Sequence, residues 1–140
     1  MGAWRAEIQA LQRCAHEHVI PLLDVMESEC GRVGLVFPWL EDGDLVNLMR
    51  REDTAGFAVP IARQMLDAVA HIHTQGVVHR DVKPDNVLVR GRDANNVPQI
   101  VIADFDAACV DYVDNERHLS GGRTIDFRAP ELICRPPHLL

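Results

Sequence analysis

Between Pro60 and Thr74 apolar residues return at helical spacing, and beyond Gly76 that period stops. Ile61, Met65, Val69 and Ile72 fall on one face with Leu66 beside them, the stripe expected of a half-buried helix. Pro60 suits the first turn, where its missing N–H costs no hydrogen bond, and Gly76 is a suitable stop. After it, VLVR (87–90) and QIVIAD (99–104) are short apolar runs joined by the turn-rich GRDANNVP, the pattern of two strands. The chain must therefore combine helices and strands.

The upstream half reads in the same terms. From Trp4 to Cys14 one helical face is apolar, with Ile8, Leu11 and Ala15 at i, i+3 and i+7. Pro21 follows, and LLDVME (22–27) and RVGLVFPWL (32–40) predict two short strands around a polar turn containing Gly31. Asp44 is placed to cap a short helix over LVNLMRR, because its side-chain oxygen can accept from an orphan N–H. From Phe105 to Arg128 the sequence reads as irregular, polar and acidic, and a loop that long is usually functional or disordered.

Length and charge narrow the classes of function. The 140 residues suffice for one domain with a core, and 47% hydrophobic with 25% charged residues is a globular balance. A net charge of -7 without a basic run argues against a nucleic-acid partner, which needs clustered Lys and Arg. Cys14, Cys30, Cys109 and Cys134 show neither CxxC pairing nor zinc spacing, so free thiols in a reducing compartment are expected. The pairs His16/His18 and His71/His73 stand i,i+2, about 200° apart on a helix. They are expected to be surface or packing residues rather than joint metal ligands. No run approaches the ~20 apolar residues of a membrane span, and MGAWRAEIQA has no secretory core. The expectation is a soluble intracellular chain without a membrane partner.

Two carboxylates stand out beside strand signals: Asp81 in HRDVKPDN (79–86) and Asp104, which ends the strand-like VIAD. HRDVKPDN resembles the protein kinase catalytic loop at every defined position. DFD at 104–106 nearly matches the family's DFG, and APE at 129–131 matches outright, in the family's order. The resemblance implies an α+β, two-lobe kinase-like fold, here incomplete. Residues 1–40 would be the remainder of the N-lobe with the hinge, and 41–140 the first part of the C-lobe.

The implied activity is ATP- and Mg²⁺-dependent phosphoryl transfer to a protein serine or threonine. By resemblance Asp81 accepts the substrate hydroxyl proton, Lys83 lies near the γ-phosphate, and Thr124 braces both. Asn86 and Asp104 hold Mg²⁺, a hard cation that prefers oxygen ligands. Glu7 takes the place of the helix glutamate that pairs with a strand lysine. Phe37 is the gatekeeper, Pro38, Trp39 and Leu40 face the adenine edge, and Leu88 lies beneath it. Leu11, Leu22, His79 and Phe105 align with the hydrophobic stack that links the lobes. Lys83 and Thr124 together are the serine/threonine pattern. The first helix and hinge are nearest in flavour to the cyclin-dependent kinases, which admits a regulatory subunit beside the protein substrate.

The match also has gaps. No Gly-rich loop and no VAIK strand precede Glu7, and the sequence stops soon after Glu131. These residues are therefore expected to be a piece of a longer kinase domain, with the Pro60–Thr74 stripe short of packing partners and marginal stability. Asp106 replaces a glycine whose backbone freedom serves the family's switch between states. Ser120 is the expected phosphorylation site, with Arg80 as the partner of the new dianion. The alternative is a constitutively ordered loop, since Asp111, Asp114 and Glu116 already make the segment acidic. The competing expectation is a non-catalytic pseudokinase or binding module. A small-molecule phosphotransferase of related fold ranks last, because such enzymes usually lack the Lys-Pro and Ala-Pro-Glu elements.

Overall fold

The computed structural model describes residues 3–111 and 125–127. Thr124, Ser120 and the 129–131 motif therefore lie outside the described residues. Among the described residues are three α-helices and six strands: α1 (Ala3–Arg13), β1 (Asp24–Glu27), β2 (Val33–Val36), α2 (Leu45–Arg51), α3 (Ala58–Thr74), β3 (Val77–Val78), β4 (Val87–Arg92), β5 (Pro98–Ile102) and β6 (Cys109–Val110). A 3₁₀ turn at Pro84–Asn86 leads into β4. The strands form three separate antiparallel pairs, β1–β2, β3–β6 and β4–β5.

Each helix forms for a local reason and then docks one face. Helix α1 buries Ala10 and Leu11, and Cys14 just beyond it. The Asp44 side chain accepts from Asn47 N at 2.7 Å and so closes the first turn of α2. Helix α3 starts two residues earlier than the sequence suggested, with Pro60 third. That position is still among the four N–H groups that lack an intrahelical acceptor, so the proline loses nothing.

The α3 stripe does not stand uncovered. Ile61, Ala68 and Ile72 are buried and Met65 and Val69 pack beside them, while Val59 and Leu66 face outward. The covering partner is β5. The Gln64 amide donates to Pro98 O and accepts from Ile100 N, both at 2.9 Å. One side chain thereby satisfies two backbone groups of β5 that would otherwise be orphaned by burial.

The core has two parts. One gathers α1, the 14–20 loop, α3, the end of β5 and Phe105. The other lies between α2, Ile61 and the alternate face of β4 and β5, with Val87, Val89 and Ile100. The 14–20 loop is stitched in by Ile102 N to His18 O and Ile20 N to Ile102 O, each 2.9 Å.

Two expectations need correction. The β1–β2 strands are shorter than the runs LLDVME and RVGLVFPWL, and all four β1 residues are exposed. The segment after Phe105 is not wholly irregular either, because Cys109 and Val110 pair with Val78 and Val77. A two-residue pairing is too short to leave a period in the sequence. Cys14 and Cys109 are buried free thiols and Cys30 an exposed one. Among the described residues no helix is long and apolar enough to cross a membrane.

Candidate active site

The site is built where β3 and β5 end side by side. His79, 3% exposed, leaves β3 and donates from Nε2 to Ala103 O at 2.9 Å. Its Nδ1 accepts from Asp81 N at 3.3 Å, so the ring holds the loop and the end of β5 together. Burial pushes the imidazole below its ordinary pKa, consistent with a neutral ring in this role. The ring edge meets Phe105, with centroids 4.7 Å apart. Leu11 belongs to the same core cluster as Phe105, and Leu22 packs against that cluster.

The backbone turns sharply at both chemical segments. Arg80 and Asp104 hold φ of 68° and 63°, a left-handed conformation that is costly for residues other than glycine. Such outliers persist only where surroundings over-determine them. Here Arg80 Nε donates to Ala107 O at 2.5 Å, tying the loop to the segment after Asp104.

Asp81 is 6% exposed, and its carboxylate is held from two sides. Lys83 Nζ lies 2.9 Å from Oδ2. Asn86 Nδ2 donates to the same oxygen at 3.1 Å and to Asp81 O at 2.9 Å. The Asp81 hydrogen bond and charge raise the Lys83 pKa, so the ammonium stays charged. Asn86 N bonds Lys83 O at 3.0 Å, and Asn86 O accepts from Ala103 N at 2.8 Å. One residue thus sets the loop's internal turn and its register against the strand that delivers Asp104.

Beside these groups opens a cleft of about 310 Å³ lined by Glu7, Ile20, Phe37, Pro38, Leu88, Ala103 and Asp104. The residues expected to form the hinge divide. Phe37 and Pro38 line the cleft, Leu40 packs against the main core, and Trp39 is 87% exposed and outside the lining. Ile20 and Ala103 line it unpredicted. Their only signal in the sequence was proximity to a strand end, since their place depends on the Ile20–Ile102 backbone bond. Burial, then the charges of Asp106 and Asp104, raise the Glu7 pKa. Among the described residues no Lys or Arg forms an ion pair with Glu7.

The protein kinase domain model matches residues 2–139. The chain belongs to the protein kinase family. It is similar to serine/threonine-protein kinase US3 of human herpesvirus 1, at 34% identity over 94% of this chain and 27% of that protein. CBL-interacting protein kinase 4 of Oryza sativa is 35% identical over 92% of this chain and 28% of its own length. Calcium/calmodulin-dependent protein kinase type 1 of Macrobrachium nipponense is 31% identical over 94% and 37%. This kinase chain therefore spans between about a quarter and a little over a third of these relatives. Within the family assignment, the mixed helix and small-sheet architecture is that of an incomplete α+β kinase domain.

Proposed function

We propose that this chain carries the catalytic loop and metal ligands of an ATP- and Mg²⁺-dependent protein serine/threonine kinase that acts inside the cell. The observation that carries the reading is the buried Asp81 carboxylate held between Lys83 and Asn86, next to a cleft lined by Asp104. Relatives named as serine/threonine kinases support the choice of hydroxyl.

The donor set fits a hard cation. Asn86 spends Nδ2 on Asp81, which leaves its Oδ1 free to join an Asp104 oxygen as a ligand. Bound there, Mg²⁺ supplies neutralisation of the phosphate charge that otherwise repels the attacking oxygen. Asp81 orients the substrate hydroxyl and takes its proton as that oxygen bonds the γ-phosphorus and ADP departs. The Lys83 ammonium has three donors, so it can bond Asp81 and a phosphoryl oxygen together. Ile20, Phe37, Pro38, Leu88 and Ala103 offer an apolar wall for a flat base.

A second reading, a non-catalytic pseudokinase, is favoured by one feature: Glu7 lies near Asp104 and Asp106 without a basic partner among the described residues. Thermal shift with Mg·ATP on the 140-residue chain separates the two. At ligand near 100 times Kd, stabilisation of about 2.7 kcal/mol is expected, and it should vanish in Asp104→Asn. Incorporation of γ-phosphate into serine or threonine of a protein substrate, lost in Asp81→Asn, completes the test. A chain that Mg·ATP leaves unshifted would instead support the pseudokinase reading.

A further inference from the structure

Where the 14–20 loop meets α3, a second polar cluster lies outside the active site. A carboxylate oxygen of Glu17, an imidazole nitrogen of His18 and a carboxylate oxygen of Asp67 lie within 4.8 Å of one another. His18 is 7% exposed, and its Nδ1 stands 3.0 Å from Ile100 O. A carbonyl can only accept, so Nδ1 carries the proton and Nε2 keeps a lone pair. Among the described residues Nε2 has no hydrogen-bond partner.

The surroundings leave charge uncompensated. Neither Glu17 nor Asp67 pairs with a Lys or Arg among the described residues; the ion-pair partner of Asp67 is His16, at 3.5 Å. The tautomer of His16 follows from the same logic. Its Nδ1 accepts from His18 N at 3.1 Å, so Nε2–H is the donor directed to Asp67. The His71 ring, four residues beyond Asp67 and so on the same helix face, stacks on His16 with centroids 4.7 Å apart. His71 Nε2 is buried without a partner, the one such side-chain atom among the described residues. Two carboxylates and one buried imidazole thus converge without a Lys or Arg partner among the described residues.

We propose that Glu17, His18 and Asp67 bind a divalent transition-metal ion of zinc type, joining the loop after α1 to helix α3. One imidazole and two carboxylates with water in the fourth position is a donor set zinc accepts. Tetrahedral ligands stand about 3.4 Å apart at zinc bond lengths, so the exposed Glu17 and Asp67 side chains need only swing inward while buried His18 stays fixed. The Nδ1–H to carbonyl bond of His18, and the His16 N–H toward Asp67, are the outer contacts that orient metal ligands. The ion would clasp two elements 50 positions apart in sequence (17 and 67). The i,i+2 argument against His16 and His18 acting jointly still stands; His18 acts with residues from another element.

The test titrates the 140-residue chain with Zn²⁺ by calorimetry and with Co²⁺ by visible absorption, in excess Mg²⁺. The expected result is one equivalent bound, a tetrahedral cobalt spectrum and a raised Tm with Zn²⁺. Glu17→Gln and Asp67→Asn alter exposed residues, so folding should survive while affinity falls at least tenfold. Asp104→Asn and Cys30→Ser should bind as the parent does. Unchanged binding in the Glu17→Gln, Asp67→Asn double variant would overturn the site, as would loss of binding in Cys30→Ser or no binding by the parent chain.

Discussion

Replacing Asn86 by alanine probes the joint on which the 79–86 loop depends. Asn86 is 7% exposed, and its Nδ2 bonds Asp81 O at 2.9 Å and Asp81 Oδ2 at 3.1 Å. A neutral hydrogen bond contributes about 1 kcal/mol and one to a charged group about 1.5–3. The two together give roughly 2.5–4 kcal/mol. Lys83 remains on the same carboxylate oxygen and offsets part of the desolvation cost, so the lower end applies, about 2.5–3 kcal/mol. For a chain of this size that lowers Tm by about 10 °C. Urea denaturation followed by circular dichroism reads the stability directly, and the melting curve checks it. A cycle with Asp81→Asn then isolates the charged bond, with a coupling of about 1 kcal/mol or more expected. If Asn86→Ala stays within about 0.5 kcal/mol of the parent, or the cycle is additive, Asn86 does not hold Asp81 and the account of the loop is wrong.

Three other outcomes follow from individual contacts. Glu7 has a folded pKa raised first by burial, so its contribution is favourable below the ordinary value of 4.5 and is lost as pH rises through the folded value. Glu7→Gln should therefore be more stable than the parent at pH 7 by thermal melting, with the difference gone near pH 4. His79 has the opposite sign: burial depresses its pKa, so stability is present above 6.5 and falls as pH drops through the folded value. In His79→Phe that part of the pH dependence should flatten, and an unchanged acid limb would show that another group causes it. Asp44→Ala should cost about 1 kcal/mol in urea denaturation through loss of the α2 cap, while Asp44→Asn retains most of it.

What could be read from the chain was whatever is written locally. The α3 stripe, the Asp44 cap and the β4 and β5 runs depend on periods and caps spanning a few residues, and each appears within a residue or two of its expected place. HRDVKPDN was legible for the same reason, because Asp81, Lys83 and Asn86 contact one another inside six residues. What the sequence could not show is what distant segments do when folded together. Trp39 and Phe37 read as neighbours in one hinge, yet Phe37 lines the cleft with Ile20 and Leu88 while Trp39 is left in solvent. The two-residue β3–β6 pairing has no local signature. It exists because the turn at Asp104 and the Arg80–Ala107 bond bring Cys109 and Val110 back alongside Val77 and Val78. Glu17, His18 and Asp67 were unremarkable in sequence and meet only because Ile102 and Ile100 pin the 14–20 loop over α3. Local chemistry is set by neighbours in the chain, and sites between elements by core packing, which no short window of sequence contains.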